Sequence, residues 1–227
     1  MAGHPMTNLP GLMILSWVTV ILGVGTAAMI LMDEIRHPQQ MGIMNIVWPV
    51  TGLYLPAAGL FFYCAIGRPR AAETRPRPKR PLWQSIFLSA THCGSGCVLG
   101  DVIGAPIVFG LGLTFWGEPL FADYAVEFVL AYLFGIAFQF FPIRAMRGLP
   151  ASKAIKDAVK ADTLSLVAFE IGMFGWMAIA YYVLPPPHPT PDAIVFWLMM
   201  QIGMMIGFLT TYPANWLLIR GGIKQGM

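Results

Sequence analysis

Six stretches of the chain are almost continuously apolar and long enough to cross a hydrocarbon core about 30 Å thick. They cover residues 11–32, 44–66, 83–113, 124–141, 163–184 and 193–219. Polar and proline-rich segments separate them. Helix is the form expected for each, because backbone groups left unpaired in lipid are too costly and the stretches are too long for barrel strands. The third stretch is the longest and contains Gly94, Gly96, Gly100, Gly104 and Pro106. It is predicted to be kinked, tilted, or split near Pro106.

The charged residues are unevenly placed. Thirteen of the fourteen lysines and arginines fall between stretches two and three, between four and five, or after six. Arg36 is the exception. Asp33, Glu34, Glu118, Asp123 and Asp192 occupy the other connections. By the positive-inside rule the basic connections and both termini are cytoplasmic. The expected fold is therefore an all-α integral membrane protein, a six-helix bundle in the inner (cytoplasmic) membrane of a bacterium. No basic residue precedes residue 11, so the first stretch reads as a retained span rather than a secretory signal.

Composition narrows the class further. Of 227 residues, 57% are hydrophobic and 11% charged, against about 25% charge in an ordinary soluble domain. Three cysteines are too few for a disulfide scaffold, and the apolar content excludes disorder. A net charge of +3 gives no sign of nucleic-acid binding. Pro69, Pro76, Pro78 and Pro81 alternate with arginines, which predicts an extended basic linker over 67–82. It would divide an N-terminal hairpin, 1–66, from a four-helix unit, 83–227. Residues 153–160 suggest a short amphipathic cytoplasmic helix leading into the fifth span.

The third stretch carries the most distinctive chemistry. In a helix, Cys93, Cys97 and Asp101 share one stripe, and His92, Gly96, Gly100 and Gly104 form the next. Two thiols, an imidazole and a carboxylate then converge, beside glycines that let another helix approach closely. Thiolate and imidazole suit copper(I) and zinc(II), so His92, Cys93 and Cys97 read as a soft-metal half-site, with Asp101 orienting His92 or carrying a proton. The same two thiols one turn apart would serve a dithiol–disulfide cycle if the helix unwound at Gly94 and Gly96. Cysteine is also a common buried packing residue, and small-residue stripes are ordinary packing devices. Polar ionisable groups at membrane depth tilt the balance toward function.

Other stretches add candidates. Glu170 lies about 10 Å inside the fifth span by helical rise, where a carboxyl must be neutral, paired or ligating. Met173 and Met177 share its face, and Asp162 stands two turns earlier, near the boundary. In the sixth span, Gln201 and Met204 are placed to face Glu170, and Tyr212 and Asn215 sit at an expected interface. Glu127 and Gln139 lie near opposite ends of the fourth span and read as boundary residues. Met29, Met32, His37, Met41 and Met44 would make a weak point of cation capture on the N-terminal hairpin. No phosphate loop, dinucleotide fingerprint, zinc-protease helix or nucleophile elbow is present.

The run His92-Cys93-Gly94-Ser95-Gly96-Cys97, with Gly100-Asp101, resembles the signature of an uncharacterised bacterial membrane family, a domain of unknown function. Lys160-Ala161-Asp162, Phe169-Glu170-Ile171-Gly172-Met173, Met200-Gln201-Ile202-Gly203-Met204 and Tyr212-Pro213-Ala214-Asn215-Trp216 extend the resemblance over about residues 83–224. The resemblance implies an association with copper oxidase domains, which adds weight to copper. The leading expectation is a membrane protein that binds, and transports, copper, with zinc as the alternative metal. His92, Cys93, Cys97, Asp101, Glu170, Met173, Gln201 and Met204 would supply the site or line the path. The alternatives are a thiol–disulfide oxidoreductase using Cys93 and Cys97, and a non-catalytic subunit or assembly factor. Expected partners are the lipid bilayer, a metal ion, and a second copy or a membrane complex.

Overall fold

A computed structural model of the chain describes residues 10–69, 80–183 and 188–224, and most of the predicted linker, 70–79, lies outside them. The described chain is helical: α1 (Pro10–Arg36), α2 (Met44–Tyr54), α3 (Pro56–Phe62, continued by a π-helical turn over Tyr63–Gly67), α4 (Leu82–Leu111), α5 (Pro119–Arg147), α6 (Ala151–Val183) and α7 (Ile194–Arg220). Five of these, α1 and α4 to α7, are long and apolar enough to cross a membrane. Ile14, Trp17, Leu133, Ile171 and Leu209 point outward from them. A surface of that kind fits lipid rather than water, and the chain is a multi-pass membrane protein.

Among the described residues five long apolar helices stand where six were expected. The second apolar stretch does not form one long helix. α2 stops at Tyr54 because Pro56 has no N–H to continue the ladder and drives Leu55 out of the helical region, to φ −119° and ψ 74°. α3 then turns back along α2. Gly59 packs on Thr51 and Gly52, and Trp48 meets Tyr63 edge-on at 5.5 Å between centroids. Each arm is only about 17 Å long, since α2 has eleven residues.

The return arm ends beside the end of α1. Arg68 donates to Asp33 through Nε (2.9 Å) and a terminal nitrogen (2.7 Å), and the Tyr63 hydroxyl donates to the same carboxylate at 2.7 Å. Gln39 Nε2 donates to Glu34 Oε1 (2.9 Å) and to the Gly67 carbonyl (3.1 Å). The stretch therefore enters and leaves on one face of the bundle. Phe62 at its exit stacks on Phe87 near the start of α4, with centroids 4.4 Å apart, and Phe87 meets Phe208 in the second half of α7. Arg36, the exception in the sequence, thus joins Arg68, Arg144 and Arg220 on the face where α4 begins and α7 ends.

α4 is the central helix. Every residue from Ile86 to Val98 is buried, with α2, α5, α6 and α7 around it. Its glycine stripe forms a seam with α5: Gly96 lies on Gly135, Gly100 on Ala131, and Gly104 on Glu127. A Cβ on Gly96 would come within 3.0 Å of the Gly135 Cα, closer than packed carbons allow. Pro106 sits inside α4 without splitting it. The helix ends at Gly112, whose φ of +61° lets Leu113 N–H reach back to the Val108 carbonyl at 3.1 Å. The amphipathic helix expected over 153–160 is continuous with the fifth span in one 33-residue helix. There Ala154 and Ala158 face inward while Lys153 and Lys156 stay exposed.

Candidate functional site: a buried line of thiols and carboxyls

Three helices each carry a stripe repeating every four residues, which stacks side chains along one helix face. On α4 it is Cys93, Cys97 and Asp101. On α5 it is Glu127, Ala131, Gly135 and Gln139, and on α6 it is Asp162, Leu166 and Glu170. All ten residues are buried, or nearly so, in the α4–α5–α6 interior. α5 runs opposite to α4, so Gln139 stands level with the first half of α4 and Glu127 with the second.

The groups follow one another across the bundle. Next to the basic face, Gln139 Nε2 donates to Asp162 Oδ1 at 3.4 Å, and the Asp162 carboxyl lies over Gly135, where any side chain would displace it. The Cys93 thiol lies against Asp162, Cys97 against Cys93, and Glu170 against Cys97. Asp101 follows, within electrostatic range of Glu170 and Glu127. Cys93 to Asp101 alone spans about 12 Å of helix rise. At the tip of the α2–α3 hairpin, Tyr54 is fully buried and reaches this line at Gly94, near both thiols.

Few of these polar atoms are satisfied by the protein. Both oxygens of Asp101 and of Glu170, both ring nitrogens of His92, Oδ2 of Asp162 and the Tyr54 hydroxyl are buried without a hydrogen-bond partner. Each such group costs about 1–3 kcal/mol if it stays without a partner.

The expected site residues are distributed unevenly over this geometry. Cys93, Cys97, Asp101 and Glu170 stand in the line. His92 lies beside it on the glycine stripe, its ring 6.0 Å from that of Phe138 on α5. Met173 and Met204 are buried in the apolar core, and Met173 packs against Gly203 of α7. Gln201 is elsewhere: Nε2 donates to the Leu53 carbonyl at 2.8 Å and approaches the Thr19 carbonyl at 3.4 Å. It serves the carbonyl that the break before Pro56 leaves free, not Glu170. Among the described residues no three His, Cys, Asp or Glu side chains gather closely enough to hold a metal ion. The N-terminal capture cluster is not assembled either, since Met29 and Met32 point outward, His37 bonds Asp33, and Met44 is buried.

Two boundary assignments are corrected. Glu127 and Gln139 face the interior, at 2% and 4% exposure, because the close α4–α5 seam swallows their stripe. Their spacing to Ala131 and Gly135 is the signal that could have found them. Lys224 was likewise missed, and it is buried with its ammonium donating to Asn215 Oδ1 at 2.9 Å. At the opposite end, a cavity of about 450 Å³ opens between the end of α4 and the start of α5, with Met177, Tyr181, His188 and Met199 in its wall. Asp123 in that wall stands one helical turn from Glu127, the last carboxyl of the line.

Residues 82–224, which hold α4 to α7, match the family described as a domain of unknown function (DUF4396), and the chain belongs to that family. No curated protein and no solved structure matches the chain.

Proposed function

We propose that this family member is an inner-membrane protein of a bacterium that binds a soft metal cation at Cys93 and Cys97 and passes it along the buried carboxyls. The observation that carries the reading is the pair of adjacent buried thiols flanked by Asp162 and Glu170. Two adjacent sulfurs favour copper(I), which thiolates select, over zinc, which takes four ligands. His92 supports the thiols from the neighbouring stripe. Met173 and Met204 belong to the packing around the path. The α4–α7 unit holds the chemistry, and α1 with the hairpin braces it and delivers Tyr54 to the thiols.

The same reading sets the orientation. With the basic face in the cytoplasm, five spans and a re-entrant hairpin put residue 224 inside and the Pro10 end of α1 outside. Non-helical backbone at membrane depth is tolerated where it packs on protein, and Leu55 is partly buried against the core. A reporter fused ahead of Pro10 that is active only in the cytoplasm would overturn this arrangement.

The thiol–disulfide alternative has the contact between Cys93 and Cys97 in its favour. Against it, α4 stays helical through Gly94 and Gly96, and its packing on α5 and Phe169 resists the unwinding that a disulfide one turn apart requires. The deciding experiment is copper(I) titration of the reduced, detergent-purified protein and of the Cys93→Ser/Cys97→Ser variant. The expected result is near-stoichiometric binding that the double variant loses. Equal affinity in both proteins sinks the proposal.

A further inference from the structure

At the end opposite the basic face, α4 finishes, α5 begins, α6 finishes and α7 begins, and all four contribute to the wall of the cavity of about 450 Å³. The segment Pro189–Pro191 lines it as well. That segment is pinned in place. Trp197 Nε1 donates to the Pro191 carbonyl at 2.9 Å, and Ala193 N–H donates to the Thr190 carbonyl at 2.8 Å. Across from it, the Tyr181 hydroxyl donates to Glu118 Oε2 at 3.0 Å and ties α6 to the residue before α5. The cavity is thus built into the fold, and its size falls in the range of about 300–1,000 Å³ usual for sites that hold a small organic molecule.

The lining decides what fits. Most of it is apolar or aromatic, including Phe109, Met177, Phe196 and the stacked rings of Tyr181 and His188, whose centroids are 3.9 Å apart. Asp123 brings a carboxyl into this wall, and among the described residues no lysine or arginine lines it. The same sign of charge holds around it. Residues 81–143 and 161–219 contain no lysine or arginine, while Glu118 and Asp192 sit in the two connections at this end. Such a field favours a cation over an anion, and aromatic faces attract a cation further. A bare metal ion would leave most of the volume empty, whereas an organic amine fills it with its own apolar body. We infer that the cavity is a binding site for an amphiphilic amine, whose ammonium pairs with Asp123 and whose apolar body lies among Phe109, Met177 and Phe196. The site does not depend on the thiol-site reading.

The test uses the full chain in a neutral detergent and two photoreactive probes that differ in charge. Trifluoromethyl-diazirinyl benzylamine carries the ammonium, and the matching benzyl alcohol does not. Labelled residues are located by mass spectrometry, with and without excess phenylbutylamine as competitor. The amine should label residues of the cavity wall in a way the competitor displaces, and the alcohol should label them about tenfold less, as loss of a charged contact predicts. Asp123→Asn should bring the amine down to the level of the alcohol, and Asp123→Glu, which keeps the charge, should restore it. Ala180→Phe, which fills the cavity from its wall, should remove competitor-sensitive labelling by either probe. Amine labelling that the competitor does not displace, that falls outside the cavity, or that Asp123→Asn leaves at the parent level overturns the inference. Equal labelling by the two probes does the same.

Discussion

Two groups of acids in this molecule are treated in opposite ways. At the end of α1, Asp33 receives two bonds from Arg68, one from Tyr63 and a contact from His37, and Glu34 is bonded by Gln39. In the interior, Asp101 and Glu170 receive none. The first group is a fastening: it ties the return arm of the hairpin to α1 and fixes which face that arm ends on. The second sits among close-packed helices, with the glycine seam on one side and only the Cys97 thiol against Glu170. An acid that only has to stay put is commonly given partners, whereas ionisable groups left unpaired inside a membrane bundle are candidates for function.

The most severe way to break the contrast is to force the seam apart. Gly100→Leu drives a side chain into the backbone of Ala131, and a loss of about 3 kcal/mol or more is expected, seen as a collapse of the thermal unfolding midpoint in detergent. Gly110→Leu, at a position with open space, should leave the midpoint where it is.

Asp101→Asn and Glu170→Gln sharpen the comparison from the functional side. Neither removes a bond, so stability should stay within about 1 kcal/mol of the parent. Copper movement into proteoliposomes should fall at least about tenfold. A sharp drop in stability with unaltered copper movement would make these acids structural and erase the distinction.

Asp33→Asn should do the reverse. The Arg68 pair is solvent-exposed, so its loss should lower the unfolding midpoint only slightly, and copper binding should be untouched. The parent's midpoint should fall with added salt and the variant's should not. Gln201→Leu leaves the Leu53 carbonyl without its donor, and about 1 kcal/mol of local loosening is expected, read as faster amide exchange in α2 and α3 alone. The smallest effect is that of Met29→Leu with Met32→Leu, which should leave copper affinity unchanged because both side chains face outward.

Much of the site was legible because helix periodicity is local. Cys93, Cys97 and Asp101 share a stripe whatever surrounds them, and the neighbouring glycines announce a close helix. The partners of those stripes were less legible. Glu127 and Gln139 look like boundary residues when a span is read alone, and they turn inward only because α5 settles onto Gly96, Gly100 and Gly104. Gln201 shares a helix with Met204, yet it serves a backbone break in a segment nearly 150 residues away.

The sequence alone indicated the class, where most of the long apolar helices lie, and the helix that carries the thiols. Those follow from hydropathy, charge and a 3.6-residue period, all short-range properties of the chain. Only the tertiary structure decided whether the second apolar stretch crosses or returns. A proline in mid-stretch is compatible with a kink or with a reversal. What separates them is the meeting of Arg68 with Asp33, 35 residues apart, and of Phe62 with Phe87. Contacts between distant segments are chosen by the packing of the whole bundle, and no window along the chain contains them.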